Sequence, residues 1–473
     1  MKWSRCRRYV QRSVLVAGAS ACAWLLIFVH PRSPVPPDRV AVTLWQVTGA
    51  EDEEPQVPKW FNESQDSIFV QPVGLPFLEI EQKFLTAAVG NFPPDLFEYF
   101  GSVAQWSTRG ALRPLDDLME RDGFDRSAIF PALWDEMMWD GRTYAIPTGT
   151  ACEAFFWNKA HFREAGLDPD RPPRTWAELE EYAVRLTRYA PDGSIERAGY
   201  IPGYWSAFGT PLFLVWQLQL GARFISEDGR RVIMTEPANV EALKWEARLF
   251  ERLGREQLIR KRSSFGYGAQ HGFLSGQVSM IVQKSSFPDE INKFAPDLEY
   301  GCSDLPLPPG GRPATLTGAV WIGIPAGARH PEEAWDYIKY LTRSDVQRRS
   351  AEWIAERGLA SFFPANVEAA TGASQLGRAC MSVFVESMKW GRSPTVVPLA
   401  HTQFWRASQE AWDSVMRGLA ASPEAALAQA ERTVQKALDE QLAYNEFYRR
   451  YLLRHGGGGA RHAAVSAGEA GRP

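Results

Sequence analysis

The residues of this chain best equipped for chemistry are aromatic rings set beside small polar groups. Trp45-Gln46 closes an alternating run, 40–45, that reads as a first strand, and Glu98-Tyr99 lies at the end of a third, 95–100. In an open α/β sheet, ligands sit beyond the carboxyl ends of the strands. An indole or phenol covers an apolar C–H face, and Gln or Glu bonds a rim of hydroxyls. That combination suits a carbohydrate. Bond-making chemistry has no comparable footing. The seven histidines are scattered, with no two at metal-ligand spacing. There is no G-x-S-x-G, no Walker A and no G-x-G-x-x-G after a strand, and nothing marks two acids as a glycosidase pair. No catalytic residue, cofactor or metal is expected.

Composition narrows the class. A chain of 473 residues accommodates two or three domains, and 45% hydrophobic with 23% charged residues is ordinary for a globular protein. Eighteen tryptophans are not ordinary, and the excess over core needs leaves some for a binding surface. The formal charge is −4, and without the five cations of residues 1–30 the rest carries −9. A mildly acidic body excludes nucleic acid as the expected partner. Of five cysteines, Cys152, Cys302 and Cys380 lie in the body. One disulfide among them is open, with buried thiols the favoured reading.

The elements that would position these groups centre on residues 139–166. Asp140-Gly141 is a two-residue hairpin signal. A short strand over 143–146 is expected to stop at Pro147. Thr148-Gly149-Thr150 follows as a flexible crossing and natural hinge, before a buried strand over 154–157. Asn158 is a good N-cap, and Gly166 stops the helix behind it. Further on, Thr175 and Glu178 form a capping box, Pro237 opens a helix, residues 316–325 read as a buried return strand and 358–363 as a second return crossing. Residues 46–58 read as a loop. At the N-terminus, a basic stretch followed by the uncharged run 14–29 has the layout of a secretory signal or signal anchor. An uncleaved anchor is preferred, with cleavage after the small residues at 17–21 the alternative. A Pro-rich linker at 31–39 follows, and 446–473 holds a helix end and a disordered tail.

The central stretch also carries a resemblance. Asp140-Gly141, Tyr144, Ile146-Pro147, Phe156-Trp157-Asn158-Lys159, Phe162 and Ala165-Gly166-Leu167 fit a pattern of turn and cap residues at fixed separations. Pro94-Asp95-Leu96, then Leu112 with Pro114-Leu115-Asp116-Asp117, extend it. So do Phe273, Gly276, Ser279 and Met280, and most positions from Gly318 to Thr342. Over residues 40–445 the chain resembles the extracellular solute-binding proteins, family 1, of ABC importers, which are maltose- and oligosaccharide-binding-like.

The resemblance implies a two-lobed α/β, periplasmic-binding-protein-like fold (type II), with two discontinuous lobes joined by hinge strands. Lobe 1 would be 40–149 with 319–362, and lobe 2 would be 150–318 with 363–445. It places ligand contacts at Trp45, Gln46, Glu98 and Tyr99. The family often has an aromatic residue and an Asp where Thr148 and Gly149 stand, so a different or roomier pocket edge is expected here, with Thr150 and Glu153 as substitute polar groups. Tyr204 and Trp205, on a loop, are read as either cleft or core. Phe287 stands near a common family Trp. Trp321 is displaced by one residue from a family Trp, which in a strand turns it to the opposite face, so cleft and core both stay open. Trp176, Trp245, Trp335 and Trp353 are read as core. The implied function is capture of a carbohydrate, an oligosaccharide or sugar derivative, by a monomer outside the cytoplasm, tethered to the membrane, for an ABC permease. A tethered sugar-sensing receptor is the alternative, and a glycan hydrolase stands third.

Overall fold

A computed structural model of the chain describes residues 35–47, 56–101, 103–203, 213–357 and 362–455, without the side chains of 78 and 447–455. The N-terminal segment, residues 31–34 of the linker, Tyr204 and Trp205, residues 358–361 of the second return crossing and the tail from 456 lie outside it.

Ten strands position the site: β1 (Val40–Val47), β2 (Ile68–Leu75), β3 (Leu96–Phe100), β4 (Ile146–Asn158), β5 (Ile195–Tyr200), β6 (Val278–Lys284), β7 (Tyr300–Ser303), β8 (Thr315–Gly323), β9 (Phe363–Pro364) and β10 (Gly391–Arg392). β2, β1 and β3 run parallel, β8 joins β3 antiparallel, and β4 joins β8 antiparallel. β4 then carries the sheet across. Its first half pairs with β8 and β9, from Ile146 to Cys152, and its second half pairs with β6 and β7, from Glu153 to Asn158. β5 lies parallel to β6 beyond it. The inner strands are apolar on both faces because helices cover both sides. Those used below are α1 (Phe77–Val89), α2 (Pro237–Leu253), α3 (Arg255–Ser263), α4 (Phe287–Phe294), α5 (Met381–Ser387) and α6 (His401–Met416).

Local chemistry explains much of this. Asp140 and Gly141 both hold positive φ, 51° and 71°, as the tight hairpin between Met138–Trp139 and Arg142–Thr143 demands. Asn158 caps its helix by accepting from His161 N at 3.0 Å, and Thr175 accepts from Glu178 N at 3.1 Å. Trp176, Trp245 and Trp335 are buried.

Two expectations fail. The strand does not stop at Pro147 and resume after a loose crossing, because β4 is one strand of 13 residues. Proline's missing N–H is absorbed where β8 shifts register between Val320 and Trp321, and Thr148 Oγ1 donates to Val320 O at 3.2 Å. Close approach explains Gly149, since a Cβ there would stand 3.3 Å from Phe362 Cβ where β9 crosses. Residues 46–58 are not simply a loop either. β1 runs on to Val47, and a helix begins at Gln56 (Gln56–Ser64), burying Trp60 and Phe61. Pro58 falls in its first turn, where an N–H has no helical partner to lose.

Candidate functional site

The first-lobe half begins at Trp45 and Gln46, half-buried at the carboxyl end of β1, with Trp45 in register with Val73 and Phe97. Glu98 and Tyr99 point to opposite faces, as neighbours on a strand must. Tyr99 is 4% exposed and lies over α1, donating to Glu81 Oε1 at 2.9 Å and stacking on Phe77. Glu98 is half-buried, and loss of water lifts its carboxyl to about 7. Its charge bears on the buried Tyr337 of helix Pro331–Leu341. Trp321 is fully buried, its rim against Phe97 and Tyr99, and its indole N–H donates to Gly101 O at 3.0 Å. Both Tyr99 and Trp321 are thus packed and bonded inside the first lobe.

At the crossing, the Thr150 hydroxyl is fully buried and shared between Thr317 Oγ1 and Gly318 O, both at 3.0 Å. It holds β4 to β8. Glu153 differs. Its backbone is clamped by the Thr315 hydroxyl, which accepts from its N–H and donates to its C=O. Its carboxylate is buried, and neither oxygen has a hydrogen-bond partner among the described residues. Phe287 sits in the second-lobe core between Phe156, Phe273 and His271, 1% exposed.

Glu153 does not stand alone. Tyr200, at the end of β5, is buried with its hydroxyl unpartnered, and the charges of Glu153 and Glu246 both bear on it. Glu246, on α2, is fully buried; one oxygen accepts from Trp412 Nε1 at 2.8 Å and the other is unpartnered. Ser285, just past β6, has a buried unpartnered hydroxyl beside Cys152. Trp412 closes a stripe on α6. His401, Trp405, Ser408 and Trp412 recur at steps of four, three and four, which places them on one helix face. His401 and Trp405 meet edge to face at 5.1 Å. Nδ1 of His401, Nε1 of Trp405 and Oγ of Ser408 all lack a partner among the described residues. The turn before this stripe, Pro398–Ala400, packs on helix Ala104–Ser107, and α6 packs on α2.

A buried polar atom without a partner costs about 1–3 kcal/mol, and native proteins leave few. Glu153, Tyr200 and Glu246 bear on one another, and Trp412 of α6 reaches Glu246, so this polar cluster is the candidate site. Sequence reasoning named Glu153 but missed Tyr200, Glu246 and the α6 stripe. The one usable signal was the spacing of His401, Trp405, Ser408 and Trp412, which mixes polar and aromatic residues along a single face. Among the described residues, no group of His, Cys, Asp or Glu could hold a metal ion, and no helix is long and apolar enough to cross a membrane.

Residues 48–348 match the family of bacterial extracellular solute-binding proteins. This chain belongs to that family. The sn-glycerol-3-phosphate-binding periplasmic protein UgpB of Brucella melitensis is 26% identical to it over 324 residues, 64% of this chain and 70% of the relative. Among solved structures, CpMnBP1 with mannotriose bound is 25% identical with a TM-score of 0.69, over 84% of this chain and all of that one. The sugar-binding protein MalE of Xanthomonas citri shares the fold at a TM-score of 0.70 and 20% identity, over 86% and 99% of the two chains. The two-lobed architecture of such binding proteins is the architecture of this solute-binding protein.

The buried acids make its stability depend on pH. Burial pushes Glu246 up to about 8, against the hydrogen bond from Trp412. A carboxyl that stays protonated in the folded state, after the unfolded chain has lost its proton near 4.5, favours unfolding as pH rises between those values. The ligand-free protein should therefore lose stability from about pH 4.5 to pH 8. Glu246→Gln keeps an acceptor for Trp412 and cannot ionise. At about 1.4 kcal/mol per pKa unit, it should exceed the parent by a few kcal/mol at about pH 8 and match it near pH 4. Parallel slopes in denaturant melts across that range would refute the assignment.

Proposed function

We propose that this solute-binding protein captures an uncharged carbohydrate between its two lobes and presents it to the permease of an ABC importer. The observation that carries the reading is the set of unpartnered buried groups, Glu153, Tyr200 and Glu246, beside the aromatic stripe of α6. Carboxyls and a phenol bond hydroxyls, while indoles cover the C–H faces of a sugar ring. CpMnBP1, similar in fold and sequence, is a structure with mannotriose bound. UgpB is an sn-glycerol-3-phosphate-binding protein, so that phosphate ester is the competing ligand in the test below.

In this reading the lobes are 40–149 with 319–362 and 150–318 with 363–445, and β4 flexes at Thr148 and Gly149. Trp45 and Gln46 line the first-lobe side, and the N-terminal segment holds the body outside the cytoplasmic membrane. Closure on the ligand would create the surface that a permease reads. The test is a melting screen of the exported protein against neutral di- and trisaccharides and sn-glycerol-3-phosphate. A ligand at a hundred times its Kd adds about 2.7 kcal/mol of stability. A rise with at least one neutral saccharide is expected. A rise with sn-glycerol-3-phosphate alone, or with none of them, would contradict the reading.

A further inference from the structure

We propose that Cys302 and Cys380 become a disulfide once the chain is exported, joining β7 to the start of α5. The geometry follows from strand periodicity. Cys152, Ala154 and Phe156 share one face of β4. Cys302 stands directly opposite Phe156 in the antiparallel register, so its side chain lies on that same face. α5 covers the face: Cys152 Sγ donates to Phe384 O at 3.2 Å, and the Phe156 and Phe384 rings are 6.1 Å apart. Cys380 is the residue before the first turn of α5, and its carbonyl accepts from Phe384 N at 3.2 Å. The two remaining thiols of the body therefore meet where α5 begins. Burial first, and then the neighbouring Cys380, push the Cys302 thiol up, as two thiols on one face of the sheet would.

The three thiols are not equivalent. Cys152 is 1% exposed and its thiol is satisfied by a backbone carbonyl, so it stays reduced. Cys302 and Cys380 are only partly buried, and both stand as thiols in the structure. Outside the cytoplasm thiols in contact are oxidised. The oxidant is an external disulfide, carried by a protein or a small molecule. The Cys380 sulfur attacks it, breaking the oxidant's S–S bond to form a mixed disulfide and releasing one thiol. Cys302 sulfur then displaces the second thiol. One S–S bond forms, two S–H bonds are lost, and two electrons and two protons end on the oxidant's sulfurs.

The bridge would have a mechanical role. Between Cys302 and Cys380 the chain leaves β7 and passes through β8, helix Pro331–Leu341 and β9 before returning to α5. Closing so long a loop restricts the unfolded chain strongly, and it ties the two separate segments around β4's second half. The inference rests on the extracellular family and on the thiol geometry, and holds whichever solute is bound.

Peptide mapping of the exported protein, alkylated under denaturing conditions without reductant, tests it. A peptide linking Cys302 to Cys380, with Cys152 alkylated, is expected. Reductant, Cys302→Ser, Cys380→Ser and the double variant should each lower the melting temperature by on the order of 5 °C. The double variant should fall no further than either single one and should be insensitive to reductant. Alkylation of all three thiols, persisting after incubation of the folded protein with oxidised glutathione, would overturn the proposal. A link through Cys152 would overturn it too.

Discussion

Trp405→Ala should cost the protein about thirtyfold or more in affinity for its carbohydrate while leaving the ligand-free melting temperature nearly unchanged. Trp405 is half-buried, its indole N–H has no partner among the described residues, and His401 braces the ring edge to face. A ring so held is a platform waiting for a second face. Truncating an aromatic anchor of a binding surface commonly costs ~2 kcal/mol or more, and ~1.4 kcal/mol is tenfold in affinity. Calorimetric titration beside a melt separates the two possible roles. Unchanged affinity with a melting temperature lowered by many degrees would make Trp405 a packing residue.

Trp321→Ala should show the opposite pattern, a loss of about 3–5 kcal/mol in stability. Trp321 is fully buried between Phe97 and Tyr99, and its N–H is the donor to Gly101 O. Truncation leaves a large cavity and an unpaired carbonyl at the junction of β3 and β8. Denaturant unfolding measures the loss directly. A change below about 1 kcal/mol would mean the site collapses without penalty, which a packed junction of this kind does not allow.

Those two tryptophans show where sequence reasoning reached and where it stopped. The elements were legible wherever a residue type has one geometric use. Asp140-Gly141 needs a positive-φ hairpin, Asn158 and Thr175 need helix starts, and the fixed spacing of such residues from 140 to 167 carried the family and therefore the fold. The one-residue displacement of Trp321 already turned it from a strand's expected face. The continuity of β4 was hidden because Pro147 is a breaker only by its own propensity. What rescues it is a register shift in β8, in a segment remote in sequence. The helix at Gln56–Ser64 was hidden by Pro58 in the same way.

The site was harder than the fold. Glu153, Tyr200 and Glu246 come from a strand crossing, a strand end and a helix, and only folding brings them near one another. In sequence Glu246 and Trp412 look like ordinary residues of amphipathic helices, and their hydrogen bond is invisible there. Thr150 looked like a free polar group and turned out to be bonded into the crossing. Glu153, Tyr200 and Glu246 stand out by burial without a partner, and burial is a property of the fold.

Small-angle scattering of the exported protein, with and without the saccharide that raises its melting temperature most, tests the central claim most directly. Two lobes closing about Thr148 and Gly149 should reduce the radius of gyration at saturation, and the reduction should disappear in Trp405→Ala at the same ligand concentration. An unchanged radius for the parent, with binding proven by calorimetry, would contradict capture by closure.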